Sequence, residues 1–142
     1  MATTYATEIA GQSATPVTKA SGATMGGRLR RFRASITLAS QASGDDIVLA
    51  KVPVGANFAY GVINSDTSLG TATAAIGIAG NTTKYRAAAA FTATNTPTLF
   101  GNTAVVDYDN ELTAEETVLL TIGTAALPAS GNLVVDLYYS AP

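Results

Sequence analysis

From Arg30 to Leu38 the side chains alternate with a period of two. Arg30, Phe32, Ala34, Ile36 and Leu38 fall on one face, and Arg31, Arg33, Ser35 and Thr37 on the other. That is the pattern of a strand with one face in water. Gly44, Asp45 and Asp46 make a turn, after which residues 47–52 are nearly continuously apolar and predict a strand buried on both faces or at a contact between copies, ended by Pro53. Residues 58–63 predict a third strand, and Asn64, Ser65 and Asp66 the turn after it. In residues 71–78, Ala72, Ala74, Ile76 and Ile78 alternate with Thr71, Thr73, Ala75 and Gly77, which predicts a fourth strand. A glycine inside that run, Gly77, marks a bulge or a close approach of another backbone.

Gly80 and Asn81 end the fourth strand. The four alanines at 87–90 have the highest helix propensity of any residue type, and Thr82 or Thr83 can cap a short helix running through Ala90. Residues 91–101, with Asn95 and Pro97, read as loop with a short strand at 98–100, and residues 103–108 as another strand. The spacing of Thr113 and Glu116 fits a capping box, but residues 117–122 alternate as a strand, so a tight turn is expected before them. After Pro128 and Gly131 a last strand places Leu133, Val135, Leu137 and Tyr139 on one face and Val134, Asp136 and Tyr138 on the other. About eight strands separated by turn signals predict an all-β fold, an antiparallel β-sandwich of jelly-roll type occupying residues 28–142.

Residues 1–27 break the pattern. They are rich in Ala, Thr, Ser and Gly and hold no sustained period, which predicts an extended N-terminal arm. Tyr5, Ile9 and Val17 are spaced too widely to build a core and are the candidate anchors of the arm on a neighbouring surface. The start of the chain lacks a basic segment followed by an apolar stretch, so no secretory signal is expected, and no run approaches the roughly 18 apolar residues of a membrane span.

Composition narrows the chemistry. The 142 residues contain no His, no Cys and no Trp; 47% are hydrophobic and only 13% charged. Triads that depend on His, thiolate nucleophiles, disulfides and Cys-based metal sites are excluded, and no cofactor is expected. Asp107, Asp109 and Glu111 alternate in a way that could place three acids on one side of an extended segment, but no calcium-loop signature surrounds them and the reading is a solvated loop. Glu115 and Glu116, being adjacent, fall on opposite faces and are expected in solvent. The triplet Asn81, Thr82, Thr83 fits a glycosylation acceptor without an export signal beside it.

Charge is unevenly placed. Residues 1–33 carry five basic side chains against one acid, and the rest of the chain three against nine, for a net charge of −2. Four of the five, Arg28, Arg30, Arg31 and Arg33, lie within six residues. Such a cluster could grip phosphates, yet an otherwise acidic domain makes a poor nucleic-acid footprint. The guanidinium fork pairs bidentately with carboxylates, which makes a protein interface the preferred reading.

Gly27-Arg28-Leu29-Arg30-Arg31, Val52-Pro53-Val54-Gly55-Ala56, Lys84-Tyr85-Arg86-Ala87-Ala88-Ala89 and Leu112-Thr113-Ala114-Glu115-Glu116-Thr117, in this order, resemble the small head decoration, or cement, proteins of tailed bacteriophages. The resemblance runs from about Gly27 to Tyr139 and implies a trimeric or otherwise oligomeric β-rich module bound to the major capsid protein on the outside of a virion, with no catalytic residues. A homo-oligomer is also expected from the apolar run at 47–54. Two other readings stand beside it: a carbohydrate-binding jelly-roll module presenting Tyr60, Tyr85, Tyr108, Tyr138 and Tyr139 as stacking faces, or a tail or fibre component of the same architecture.

Overall fold

The computed structural model describes residues 2–23, 25–106 and 110–141. Its strands are β1 (Arg28–Thr37), β2 (Asp46–Val52), β3 (Asn57–Ser65), β4 (Thr73–Ile78), β5 (Asn81–Ala90), β6 (Thr98–Phe100), β7 (Glu116–Gly123) and β8 (Asn132–Ala141). Two four-stranded sheets result, one in the order β1-β8-β3-β6 and the other β2-β7-β4-β5. Every ladder is antiparallel, and the pairs β1–β8, β2–β7, β3–β6 and β4–β5 are nested inside one another. That is a long eight-stranded hairpin rolled into two layers, the jelly-roll arrangement. The helical content is small: one turn, α1 (Thr7–Ala10), continued as a 3-10 turn at Gly11–Ser13, and a second, α2 (Thr103–Val106). Neither helix is long and apolar enough to cross a membrane.

The alternation read from the sequence builds the core. Along β8, Leu133, Val135, Leu137 and Tyr139 are each buried to 1% exposure or less, and Ile36, Ile63, Ile76, Val118, Leu120 and Ile122 meet them from both sheets. Phe58 holds the aromatic part of this core together, with ring centroids 4.5 Å from Tyr85, 5.3 Å from Tyr139 and 6.5 Å from Phe100. Gly77 sits where the sequence placed a close approach. A Cβ there would come within 2.6 Å of the Thr82 backbone, and the β4–β5 register shifts beside it.

Four expectations are corrected. Residues 82–90 are not a helix but most of β5, paired with β4 through Ala74–Ala89 and Thr73–Ala90. Four alanines favour a helix by roughly 2 kcal/mol in all, whereas the strand buries Tyr85, an aromatic side chain of about 150–250 Å² worth roughly 4–6 kcal/mol. Residues 103–106 are a helical turn rather than a strand: it is β6, just before them, that pairs with β3, and Val105 and Val106 donate to the Asn102 carbonyl. The apolar run at 47–52 is not covered on both faces within the chain. It is an edge strand, bulged between Val48 and Ala50, with Val48 in solvent. Finally, β3 continues through Asn64 and Ser65, so the turn begins at Asp66, whose carboxylate accepts from the Asn132 backbone N–H at 2.8 Å.

Candidate interaction surface

The outer face of the β1-β8-β3-β6 sheet is laid out by register. Arg33, Asp136, Val62 and Leu99 form one row across its four strands, and Arg31, Tyr138 and Tyr60 the next. Arg33 donates from Nε and Nη2 to the two carboxylate oxygens of Asp136, each at 2.8 Å, in a bidentate pair. The side chain of Arg33 is half exposed while Asp136 is buried at 7%. The Arg33 hydrogen bonds, its charge and that of Arg31 hold the Asp136 carboxyl below the usual carboxylate range against the opposing effect of burial. Tyr60 and Tyr138 stack with centroids 4.7 Å apart and rings within 18° of parallel. Beside them Asp136, Arg33, Asn64 and Pro97 line a shallow hollow of about 310 Å³.

A second polar cluster closes one end of the core. Glu116, at the start of β7, pairs with Lys84 and accepts a hydrogen bond from the Tyr85 hydroxyl. The expectation of solvent exposure holds for Glu115, which stands exposed in the loop before β7, but not for Glu116, which turns toward β5 and is partly buried. Burial pushes the Tyr85 hydroxyl up, with the nearby Tyr139 and Glu116 adding to the effect, and burial likewise raises Tyr139. Tyr85 and Tyr139 are 1% exposed and show no stacking face to a ligand; Tyr60 and Tyr138 are the ones that reach the surface, and Tyr108 lies outside the described residues.

Of the residues singled out in the sequence, Arg28, Arg30, Arg31 and Arg33 are brought onto one strand, β1, and all four are exposed. Tyr5 and Val17 stand exposed in the arm, with Ile9 half-buried in α1. The arm meets the sandwich later in the sequence: the Ser21 hydroxyl donates to Glu111, the Ser140 hydroxyl donates to the Ala23 carbonyl at 2.6 Å, and Ala23 is buried. Asp107 and Asp109 of the acidic triplet lie outside the described residues, and Glu111 is engaged with Ser21. Among the described residues no group of three or more His, Cys, Asp or Glu is placed to hold a metal ion. Asp136 and Glu116 are the carboxylates whose partners, Arg33 for the one and Lys84 and Tyr85 for the other, the sequence did not reveal. The visible signal was one acid in the otherwise apolar run of β8 and one acid two residues before the buried Val118.

The fold is one seen in phage capsids. A chain in the capsid asymmetric unit of cyanophage Pam1 superposes with a TM-score of 0.66 at 22% identity, over 82% of this chain and 86% of its own. A chain in the capsid of Ralstonia phage GP4 does so with a TM-score of 0.64 at 18% identity over the same shares. At these identities the likeness is one of fold. No protein-family model and no curated relative matches the sequence.

Proposed function

We propose that this chain is a structural, non-catalytic virion protein: a decoration or cement protein that sits on the outside of a phage capsid as a homo-oligomer, a trimer by preference, and reinforces the shell through contacts with the major capsid protein. The observation that carries this reading is the jelly roll shared, over more than four fifths of each chain, with components of two phage capsids. The surface supports it. Exposed arginines cluster on one edge strand, and large apolar side chains, Leu29, Val48, Val54 and Leu99, stand in solvent on edge strands or the turn after one. Such edges suit protein partners better than small ligands.

Co-sedimentation with tailed-phage heads prepared without this protein tests the proposal. The purified protein is expected to pellet with the heads and to raise the temperature at which they release DNA. Protein that stays in the supernatant while binding an immobilised glycan overturns it in favour of the carbohydrate-binding alternative.

A further inference from the structure

Each sheet has two outer strands, β1 and β6 in one and β2 and β5 in the other; β1 and β2 lie against each other on one side of the sandwich, so their borders form a single rim. The rim is charged in separate blocks. Arg28, Arg30 and Arg31 stand exposed in the first half of β1. Among the described residues no carboxylate pairs with any of the three; only Arg33, farther along the strand, has one. The β2 side carries exposed Asp45 and Asp46 at its start and Glu115 next to Glu116, the partner of Val52 at its end, against one exposed cation, Lys51. Between these charges Leu29, Val48 and Val54 are 53%, 59% and 62% exposed.

An open edge is a template for another chain, and like charges facing each other across it are repulsive. Joining two β1 borders adds one net-positive block to another, and joining two β2 borders adds one net-negative block to another. The attractive combination is the mixed one. We infer that the partner of this rim is a second copy of the chain: the β1 border of one copy packs on the β2 border of the next, its arginines pairing with the acids of β2 while Leu29, Val48 and Val54 are buried between them. Guanidinium–carboxylate pairs give such a contact both attraction and orientation. Because each copy carries both borders side by side, two copies meeting about a two-fold axis, or more about a higher one, each offer a β1 border to a β2 border, and the assembly closes on itself. The inference rests on the homo-oligomer proposed above and names its interface.

Charge reversal in one chain tests it for a closed assembly of any size. The wild type, R28E/R30E, D46K/E115K and the combined fourfold variant are compared by light scattering and sedimentation, with circular dichroism as the check on folding. The expected result is an oligomer for the wild type that dissociates as salt is raised, loss of the oligomer in each double variant, and its return in the fourfold variant. Double variants that assemble like the wild type, or a folded fourfold variant that stays dissociated, overturn the rim contact and leave the oligomer standing. A monomeric wild type overturns both. Should the reversals fail to fold, L29C/V48C in this cysteine-free chain treated with a bis-maleimide decides the matter: cross-linked copies support the contact, and monomer alone overturns it.

Discussion

Arg33 and Asp136 face each other across the β1–β8 ladder and are joined by two parallel hydrogen bonds of 2.8 Å. Of the four clustered arginines, this one is committed within the chain. The pair also makes stability depend on pH. The Asp136 carboxyl titrates lower in the folded protein than in the unfolded chain, so its contribution is fully present above the unfolded value, near 4, and is lost as pH falls through the folded one. Thermal midpoints measured down an acid series are expected to drop for the wild type and to flatten for D136N. At neutral pH that variant is expected to be destabilised by about 1 kcal/mol, because the partner guanidinium remains in solvent. An unchanged acid limb in D136N would show that other carboxylates carry it.

The buried tyrosines set the alkaline limit. Burial raises both Tyr85 and Tyr139, so above the unfolded tyrosine value, near 10, the unfolded chain releases protons that the folded one keeps, and stability falls as pH rises. In a spectrophotometric titration these two hydroxyls are expected to ionise only as the protein unfolds. Two extra tyrosines titrating with the exposed ones while the fold persists would contradict that.

Y85F removes the donor to Glu116 but leaves Lys84 in place. Its expected cost is about 1 kcal/mol by denaturant unfolding. E116A strips both Lys84 and the Tyr85 hydroxyl of their acceptor near the core and is expected to cost more, about 3 kcal/mol. Equal losses would mean that the ion pair adds nothing.

Gly61 faces Phe100 across the β3–β6 ladder, and the aromatic ring lies where a Cβ would stand, within 2.6 Å. G61A is therefore expected to destabilise by about 1–3 kcal/mol. In an F100A background, where the space is open, the same change is expected to cost much less, a non-additivity that a double-mutant cycle measures directly.

Truncations locate the end of the arm. Removing residues 2–19 takes away, among the described residues, none that hydrogen-bonds to the sandwich and is expected to leave the thermal midpoint unchanged. Removing residues 2–24 also deletes buried Ala23 and the acceptor of the Ser140 hydroxyl, and is expected to lower the midpoint by several degrees. Matching midpoints would place the boundary beyond Ala23.

Much of the fold was legible because period-two alternation is a local signal. The strand faces of β1, β7 and β8 follow from it residue by residue, since each strand has one neighbouring layer to meet. What failed was decided by partners distant in sequence. Residues 87–90 are strand because β4 lies beside them, and it is residues 98–100, not 103–106, that pair with β3. The same holds for the surface. The arginine cluster could be read directly, but which arginine is taken depends on Asp136, 103 positions away.

The nesting of β1 with β8 has a kinetic consequence. β1 can complete its ladder only after β8 has been made, so a nascent chain must carry the arginine strand unpaired while the six strands between are synthesised. Closing so long a loop costs entropy before any contact is returned, which slows the folding of topologies dominated by distant pairings. During that wait the exposed strand carries arginines at four of its first six positions, and charge on an unpaired strand disfavours its pairing with another of its own kind. The charges inferred to join finished copies would thus also keep unfinished ones from aggregating.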